Sequence, residues 1–448
     1  MQPIITRRRL LKTILATGTA PLIVPRRLIA GGAELPPSEK LATAHIGVGG
    51  QGGGNLGRLA DIKEVQVVGL CDIDSGRLAE AAKAHPSAKT HRDWRKMLDE
   101  QKDMDAVVIS TPDHHHVPAA LKAMNLGKHA YVEKPLAHTI QEARLMKETA
   151  ARMKVVTQMG NGGHAGEGLR LWKEWYDGGV IGTIKEVHVW SDRPGNWWGT
   201  QGKPRPADSP PVPANVDWDL WIGPAPMRPY NPCYHPMQWR GFWDFGCGAL
   251  GDMAVHNADP AYYALDLGAP DWVEAETSAP NNDTYPSWSI VTWHHPAKGN
   301  RPEVTVKWYD GGKLPKNVPM LDPARNIGDN GLILLGDKAG MLGGSHASNP
   351  GIFPLEMHAK TKYPPKTIPR SPGHHLEWVR AAKAGKPEDS KSGFWYSAPF
   401  TESLLVGLLA VRFQKRIEWD AEAMKAKNCP EAEPIIRKAY RDGWKLPV

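Results

Sequence analysis

The feature that most constrains this chain is a glycine-rich segment that follows a short apolar run. Residues 44–56 contain the spacing G-x-G-x-x-G at Gly47, Gly49 and Gly52, and a helix-like sequence follows them. Glycines at these positions permit a tight turn and let backbone N–H groups approach a pyrophosphate at the start of a helix. The same pattern also occurs in mobile glycine-rich loops, so its surroundings have to decide between the two interpretations.

The surroundings favour a dinucleotide site. A second strand-like run, residues 65–71, ends directly before Asp72. An acidic residue about 20 positions after the glycines is typical of the group that accepts hydrogen bonds from the ribose hydroxyls. Asp72 favours NAD over NADP, because a 2′-phosphate would meet its carboxylate, although Arg77 would soften this preference if it folded back. We therefore predict NAD as the cofactor, with NADP as the second choice.

From residue 41 to about residue 160, strand-like and helical segments alternate. The predicted strands are residues 45–48, 65–71, 106–110, 129–132 and 155–158, and the predicted helices are residues 55–60, 75–84, 93–100, 117–126 and 139–152. Such alternation predicts a parallel sheet with helices on both faces, in which ligands bind beyond the carboxyl ends of the strands. We predict that this first domain spans residues 41–160.

Two strand ends carry informative side chains. The third strand is followed by Thr111, Pro112 and the histidines 114–116, and the fourth by Glu133, Lys134 and Pro135. Pro135 restricts the preceding residue to an extended backbone, which would hold the Lys134 ammonium where a nicotinamide would lie. A solvated lysine is the alternative. The three histidines do not predict a metal site, since no further ligands stand at a suitable spacing, and one of them turned toward the cofactor is the better interpretation.

Beyond residue 160 the sequence changes character, and 17 of the 18 tryptophans lie there. The strand-like runs are residues 184–191, 271–278, 287–294, 303–309 and 331–335, and the helical patterns are residues 167–177, 250–267, 372–384 and 401–415. Strands without helices between them predict an α+β domain with a large, mostly antiparallel sheet over residues 161–445. Packing of its last helices back on the first domain is a further expectation.

The stretch 194–236, rich in Pro, Gly and Trp, is too long for an ordinary connection and is predicted to cover a cleft. Aromatic side chains there can stack on sugar rings, and core packing is the alternative for each of them. The candidate substrate contacts are His164, Trp197, Trp198, Trp239 and Arg240.

Asp252 and His256 stand four residues apart in a helical pattern, so they are predicted to share one face. A carboxylate beside an imidazole would orient the ring and raise its proton affinity, as a general base for an alcohol requires. A structural Asp–His pair or two of several metal ligands are the alternatives, and the metal alternative lacks a third ligand. We predict no metal.

Composition excludes several classes of protein. Residues 1–33 hold six basic residues and no acid, so the rest of the chain carries 49 basic and 48 acidic residues. The high pI therefore comes from the N-terminal segment and does not indicate nucleic-acid binding. That segment has Arg7, Arg8 and Arg9 before a short apolar run, which predicts a twin-arginine export signal over residues 1–35, with a disordered basic tail as the alternative. The run is too short and too rich in proline for a stable transmembrane span.

Taken together, these residues resemble the Gfo/Idh/MocA oxidoreductases, the family of glucose–fructose oxidoreductase and inositol dehydrogenase. The resemblance rests on the glycine loop, Asp72, Thr111-Pro112 with His116, Glu133-Lys134-Pro135 and the Asp252/His256 pair. It implies a Rossmann domain followed by an α+β domain whose sheet often mediates oligomerisation, so we expect a homo-oligomer. The expected cofactor contacts are Gly47, Gly49, Gly50, Gln51, Gly52, Asp72, Thr111, Pro112, His116 and Glu133.

The resemblance also implies hydride transfer at a sugar or cyclitol carbon. His256 would then remove the hydroxyl proton with support from Asp252, while Lys134 would hydrogen-bond the reacting oxygen. Because no nicotinamide pool is expected outside the cytoplasm, an exported enzyme, periplasmic or anchored by its leader, would carry a tightly bound cofactor that is recycled internally. The alternatives are a redox-neutral enzyme that cleaves glycosides by transient oxidation, and a non-catalytic sugar-binding protein.

Overall fold

The computed structural model describes residues 35–447. The predicted export signal lies outside these residues, apart from residue 35. The chain divides into two compact units, Met1–Lys40 and Leu41–Val448. The described part of the first unit contains a short 3-10 helix, Pro37–Glu39.

The second unit begins with the predicted parallel sheet. Its six strands follow the order β3-β2-β1-β4-β5-β6, and every neighbouring pair is parallel. The strands are β1 (Leu41–Ile46), β2 (Val65–Cys71), β3 (Lys89–His91), β4 (Ala106–Ile109), β5 (His129–Val132) and β6 (Thr157–Met159). All four residues of β4 are buried, as expected for a strand that is covered on both faces. The prediction of an N-terminal parallel sheet is confirmed.

Helices connect these strands and cover the sheet. They are α1 (Gln51–Ala60), α2 (Ser75–Ala84), α3 (Trp94–Glu100), α4 (Asp113–Asn125) and α5 (Ile140–Met153). Helix α5 begins with a capping box, in which Thr139 and Glu142 satisfy each other's backbone N–H groups. A later helix, α11 (His374–Ala384), also packs on this sheet, where its buried Trp378 and Val379 join a cluster with Tyr131 of β5.

The remainder of the unit is built on a nine-stranded sheet of order β13-β12-β11-β7-β10-β9-β8-β14-β15. Only the pair β7–β10 is parallel, so the predicted, mostly antiparallel sheet is confirmed. The strands are β7 (Ile184–Trp190), β8 (Trp272–Thr277), β9 (Ser289–His295), β10 (Val304–Tyr309), β11 (Gly331–Gly336), β12 (Gly340–Gly343), β13 (Gly351–Phe353), β14 (Ile417–Asp420) and β15 (Lys425–Ala426).

Helices lie against one face of this sheet and in its connections. They are α6 (Glu167–Asp177), α7 (Trp218–Ile222), α8 (Gly248–Asn257), α9 (Asp259–Leu265), α10 (Leu355–Lys360), α12 (Phe394–Phe413) and α13 (Glu433–Ile436). Helix α12 packs on β8 and β9, and the indole N–H of Trp293 donates to the carbonyl oxygen of Ser403 at 3.1 Å. Of the helices in residues 35–447, α12 alone is long and apolar enough to cross a membrane, and 83% of its most apolar window is buried in the protein.

One helix boundary differs from the sequence prediction in a way that matters for the site. The predicted single helix over residues 250–267 is two helices, α8 and α9, separated at Ala258. Pro260 explains the break, because proline lacks the N–H that a continuous helix would donate to the carbonyl oxygen of His256. Asp252 and His256 both lie on α8, whereas Asp259 begins α9.

Candidate active site

A cavity of about 950 Å³ lies beyond the carboxyl ends of the parallel strands, and both halves of the second unit contribute to its walls. The sequence-predicted residues that line it are Gly47, Gly49, Gly50, Gln51, Asp72, Thr111, Pro112, Glu133, Lys134, Trp197, Trp198, Trp239, Arg240, Asp252 and His256. Three predicted residues do not line it: Gly52, His116 and His164. The glycine turn and the Asp252/His256 helix therefore face the same space.

The glycine turn has the shape that a dinucleotide requires. Gly47 has a φ of 79°, and a Cβ added to Gly52 would lie 2.0 Å from the carbonyl oxygen of Gly47, so neither position tolerates a side chain. Helix α1 begins after Gly50 without a side-chain cap. The N–H groups of Gly52 and Gly53 donate to the Gly49 carbonyl oxygen, so those of Gly50 and Gln51 are the ones available to an anion. Gly52 is buried behind the turn and acts through this close packing rather than by lining the cavity.

Asp72 lies at the cavity edge after β2, where a ribose would be held. Its two carboxylate oxygens accept the backbone N–H groups of Val48 and Asp74, each at 2.9 Å. Burial raises the pKa of Asp72, while these hydrogen bonds oppose the rise. Arg77 does fold back over the glycine turn, because its Cδ would lie 2.5 Å from a Cβ placed on Gly49. Its Nε lies 3.9 Å from Asp74 Oδ2.

The ends of β4 and β5 supply the next part of the wall. Glu133 is buried and accepts a hydrogen bond from the Asn55 side chain at 2.8 Å. The hydroxyl oxygen of Thr111 is buried and has no hydrogen-bond partner among residues 35–447, which fits a polar ligand in the cavity. These features, together with the glycine turn, fit a bound dinucleotide.

His116, predicted as a cofactor contact, lies behind the wall instead. It is fully buried, and its two ring nitrogens contact the carbonyl oxygens of Pro135 at 2.8 Å and Thr111 at 2.9 Å. Burial lowers the pKa of His116 to about 4. The ring thus ties the loop after β4 to the loop after β5, and its influence on the cofactor is indirect. His116 lies inside α4, whose helical backbone directs the side chain inward. The sequence alone did not show this direction.

Lys134 and Asp252 form an ion pair at the centre of the site. The Lys134 ammonium lies 2.7 Å from Asp252 Oδ1 and donates to the Asp252 carbonyl oxygen at 3.0 Å. Two guanidinium groups approach the same carboxylate, with Arg240 Nε 3.5 Å from Oδ1 and Arg193 Nε 3.6 Å from Oδ2. Burial by itself would raise the pKa of Asp252, but the charges of Lys134, Arg240 and Arg193 lower it overall. Asp252 is therefore an anion that anchors three cations.

His256 differs from its predicted role as an imidazole made more basic by Asp252. Burial lowers its pKa well below the ordinary value, and the nearby charge of Lys134 lowers it further. The Asp252 carboxylate is engaged by the three cations, so it does not act as the partner of the ring. His256 Nδ1 is buried and has no hydrogen-bond partner among the described residues, while the ring of His346 stacks on it with centroids 4.1 Å apart. The histidine is neutral, with an unused ring nitrogen.

His164 was predicted to contact substrate, but it is held in a separate buried network. Its Nδ1 lies 2.9 Å from Asp259 Oδ2, and Asn161 and Tyr396 also donate to the Asp259 carboxylate, at 3.1 Å and 2.5 Å. The side chain is 1% exposed. The break between α8 and α9 places Asp259, and with it His164, outside the cavity wall.

The aromatic side chains of the segment 191–247 line the cavity from the opposite side. Trp197 is 49% exposed and stacks with Arg193, whose guanidinium carbon lies 3.6 Å from an indole centroid. Trp198 and Trp239 are buried, and their indole N–H groups donate within the segment. Trp197 alone of these three exposes a large apolar surface.

The segment 191–247 also reaches the adenosine end of the cavity. The backbone N–H of Asp217 donates to Ile73 at 3.1 Å, and that of Ser75 donates to Asn215 at 2.9 Å. His235, from the same segment, lines the cavity. The segment therefore covers the cavity along its length, as predicted for 194–236.

The wall residues that the sequence analysis missed include Asp113, Arg193, His346 and His374. Asp113 starts α4, where its carboxylate accepts the N–H of Cys247 at 3.1 Å, and burial raises its pKa to about 7. His374 begins α11, and both of its ring nitrogens are buried without a partner in residues 35–447. Of these four, only Arg193 could have been found from the sequence, because it lies four residues before the tryptophan pair Trp197-Trp198.

Comparison with known proteins agrees with this architecture. A family model described as "Oxidoreductase family, NAD-binding Rossmann fold" matches residues 41–161, and one described as "Oxidoreductase family, C-terminal alpha/beta domain" matches residues 171–302. Both models are those of Gfo/Idh/MocA proteins, and together they match more than half of the chain.

Individual relatives match shorter parts of the chain. A glycosyl hydrolase family 109 protein of Shewanella pealeana is 32% identical over 170 residues, 33% of this chain and 37% of that protein. Inositol 2-dehydrogenase of Salmonella paratyphi B is 32% identical over 146 residues, 32% of this chain and 43% of that protein. The chain thus matches less than half the length of these curated relatives.

Among solved structures, the WlbA dehydrogenase from Bordetella pertussis, in complex with NADH and UDP-GlcNAcA, has a TM-score of 0.59. The identity is 18%, and the match covers 85% of this chain and 99% of that one. At this identity the likeness concerns the fold alone. The matched models, the two sheets and the glycine turn lead to one conclusion: the chain is a member of the Gfo/Idh/MocA oxidoreductase family, with NAD as its cofactor.

Proposed function

We propose that this protein is an NAD-dependent dehydrogenase that transfers hydride to or from a hydroxyl-bearing carbon of a sugar or cyclitol. The observation that carries the proposal is the shared cavity, in which Lys134, Asp252 and His256 line the same space as the glycine turn. The inositol dehydrogenase and WlbA relatives support a polyhydroxylated, sugar-like substrate.

The bound cofactor would be held by the glycine turn at its pyrophosphate, by Asp72 at a ribose and by Thr111 and Glu133 near the nicotinamide. When bound, NAD supplies the acceptor or donor of a hydride. The remaining chemistry is proton transfer and orientation, which belong to the side chains of the chain itself.

His256 acts as the base in the oxidation direction. Its neutral ring makes no hydrogen bond in the described chain, and because Nδ1 is buried, Nε2 is the ring nitrogen that can take the proton of the substrate hydroxyl. Lys134 donates a hydrogen bond to the reacting oxygen and stabilises the negative charge that grows there. Asp252 acts by holding the Lys134 ammonium at 2.7 Å, so the lysine does not have to be ordered during the reaction. In the reduction direction, protonated His256 returns the proton.

The cover that the segment 191–247 forms over the cavity supports a second element of the proposal, that the cofactor stays bound between turnovers. The segment 191–247 forms backbone hydrogen bonds with Ile73 and Ser75, beside the predicted ribose site. Retention would suit the predicted export by the twin-arginine route, because a folded protein would carry its cofactor along.

The decisive experiment uses the full chain, purified without added cofactor. We expect the ultraviolet spectrum and the supernatant after denaturation to contain a nicotinamide, and its absorbance to change when a reactive sugar or cyclitol is added. A Lys134→Ala variant that retains nicotinamide but turns over as fast as the unaltered protein would contradict the assignment of Lys134. The Lys83→Ala variant, at an exposed pair on α2, is the matched control.

Glycoside cleavage is the second candidate, and the family 109 relative favours it. In that reaction, removal of a hydride from a hydroxyl-bearing carbon would give a transient ketone that acidifies the neighbouring C–H. The glycosidic substituent would leave by elimination, water would add in its place, and return of the hydride to the ketone would leave the cofactor unchanged overall. Aglycone release from a chromogenic glycoside without net change in nicotinamide absorbance would identify it and would contradict the dehydrogenase proposal.

A further inference from the structure

The site holds more positive charge than hydride transfer to a neutral sugar requires. Lys134, Arg193 and Arg240 all lie within 3.6 Å of the Asp252 carboxylate, and all four residues line the cavity. Lys134 has a role at the reacting oxygen. The two arginines have none in that mechanism, although placing guanidinium groups where their side chains are only 11% and 26% exposed is costly without a compensating partner.

The hydrogen bonds of the two arginines leave donors unused. Arg240 donates through Nη1 to the Met237 carbonyl oxygen at 3.0 Å, and Arg193 pairs through Nη1 with Asp192. Neither Nη2 group donates to another residue in the described part of the chain, and neither is closed off from solvent. Two guanidinium groups thus each offer an accessible N–H₂ group.

Both guanidinium groups lie over an indole ring. The guanidinium carbon of Arg193 lies 3.6 Å from the centroid of Trp197, and that of Arg240 lies 4.3 Å from the centroid of Trp239. A stacked guanidinium keeps its fork of donors in one orientation, so little side-chain entropy is lost when it binds a planar anion. The arrangement is that of a preformed receptor for a carboxylate.

The local charge balance points to the same ligand. Asp252 and Asp192 together offset two of the three cations. Of the other carboxyls in this part of the wall, Glu133 accepts the Asn55 side chain at 2.8 Å, and Asp113 has a pKa raised by burial to about 7, so it adds only a partial negative charge at neutral pH. The guanidinium group that packs against the glycine turn is that of Arg77, so the Arg193/Arg240 pair stands at the Asp252 end of the cavity, away from the pyrophosphate position.

We propose that the substrate is a sugar acid whose carboxylate is bound by the Nη2 groups of Arg193 and Arg240. The proposal rests on the dehydrogenase function and adds to it the chemical class of the substrate. The carboxylate would form charge-assisted hydrogen bonds with both arginines and would orient the sugar so that one hydroxyl meets Lys134 and His256.

The test compares matched substrates on the cofactor-loaded full chain. A panel of uronates, the corresponding neutral aldoses and their 6-phosphates is assayed for kcat/KM, and binding is measured in parallel by titration calorimetry. We expect a uronate to be preferred over its aldose. We expect Arg240→Gln to lower the uronate-to-aldose ratio of kcat/KM by about thirtyfold or more, since a buried charged partner is removed.

The matched control is Arg416→Gln, because Arg416 also stacks on a tryptophan, at 3.8 Å from Trp272, and pairs with a glutamate but lies outside the cavity wall. It should leave the ratio unchanged. Arg240→Lys, which keeps the charge but not the planar fork, should give an intermediate ratio. A folded Arg193→Gln variant should lower the ratio as Arg240→Gln does.

The other outcomes are distinguishable. Equal or better turnover of aldoses, or a ratio that Arg240→Gln does not change, overturns the carboxylate proposal and leaves the dehydrogenase standing. Preference for the 6-phosphates overturns it in favour of a phosphate-bearing sugar, and loss of bound nicotinamide with an unchanged ratio assigns the arginine to the cofactor. Uronate binding that depends on Arg240 without any hydride transfer supports the carboxylate site and contradicts the dehydrogenase. Binding of no uronate in the panel overturns the proposal.

Discussion

At the scale of single residues, the site is governed by which charges are buried together. Asp252 lies within 3.6 Å of three cations and is the only anion that contacts all of them in the described chain. His256, four residues further along α8, is left neutral beside them. Burial lowers the pKa of His256, and the charge of Lys134, held by Asp252, lowers it further, so the ring stays neutral without a bond to the carboxylate.

Replacing Asp252 should therefore affect stability as well as rate. In Asp252→Ala, three cations lose their shared counter-charge in a largely buried site, and we expect the free energy of unfolding to fall by about 3–5 kcal/mol. Urea denaturation followed by tryptophan fluorescence measures this loss. Glu80→Ala breaks an ion pair whose side chains are both 72% exposed and should cost less than about 1 kcal/mol. Similar losses in the two variants would show that Asp252 has no anchoring role.

The low pKa of His256 predicts the pH dependence of the proposed sugar oxidation. The base must be neutral to accept a proton, and burial keeps the ring neutral at pH values where an ordinary histidine would be charged. We expect kcat/KM for oxidation to stay level as the pH falls through 6.5, the ordinary histidine value, with the acid limb lying well below it. A limb with an apparent pKa at or above 6.5, absent from His256→Gln, would contradict a buried neutral base.

At the scale of elements, helix α1 joins cofactor binding to local packing. A Cβ on Gly52 would meet the Gly47 carbonyl oxygen at 2.0 Å, whereas one on Gly57 of the same helix would meet nothing within 4 Å. We expect Gly52→Ala to lose bound NAD, because the turn must open to admit the methyl group. Gly57→Ala should keep NAD and gain roughly 0.5–1 kcal/mol from helix propensity. Nicotinamide content and thermal unfolding of both variants provide the measurement, and a Gly52→Ala protein with full nicotinamide content would refute the expectation.

The individual helices and strands also show how much of the structure could be predicted from the sequence. The alternation of strands and helices predicted the parallel sheet, because hydrophobic period and turn residues are local properties. The same local signals placed Lys134 and Asp252 at the right elements, but not against each other, since their contact depends on how β5 and α8 pack. His116 and His164 were misplaced for the same reason: a histidine in the sequence does not show whether its ring faces a cavity or a backbone carbonyl.

At the scale of the whole molecule, buried histidines make stability depend on pH. Burial lowers the pKa of His45 and His295 from 6.5 to about 3, and that of His115 to about 4. Below pH 6.5 the unfolded chain binds protons that these folded side chains refuse, so stability falls as the pH falls toward 4. Each such histidine lowers the free energy of unfolding by about 1.4 kcal/mol for every pH unit of acidification within that window.

Two buried carboxyls act in the opposite sense. Burial raises the pKa of Asp113 to about 7 and that of Asp310 to about 6, so their contribution to stability is lost as the pH rises through those values. The histidines outnumber them, and we expect the unfolding temperature to decrease between pH 7 and pH 5 in calorimetric scans. An unfolding temperature that is constant or rises on acidification would contradict the burial of these rings.

The nine-stranded sheet has one face covered by α12 and another that is only half-buried. On the latter, Thr292 and His294 of β9 lie opposite Lys307 and Thr305 of β10. We expect two copies of the chain to associate through this face, as the family resemblance implies, and sedimentation velocity to report an oligomer. Thr292→Arg should shift it toward monomer, while Glu80→Arg, on a helix of the other sheet, should not. A monomer at all concentrations would contradict the expectation.

The walls of the cavity come from distant parts of the chain, and Trp444 contributes to the same enclosure as the glycine turn. Its indole is buried under the guanidinium group of Arg95, 3.9 Å away. During synthesis the ribosome releases the glycine turn long before this tryptophan, so a dinucleotide captured early would be sealed in only when the later segments settle. Under the proposed retention of the cofactor, loading of NAD would be an event in the biogenesis of the protein, and its supply where the chain folds would set how much active enzyme a cell obtains.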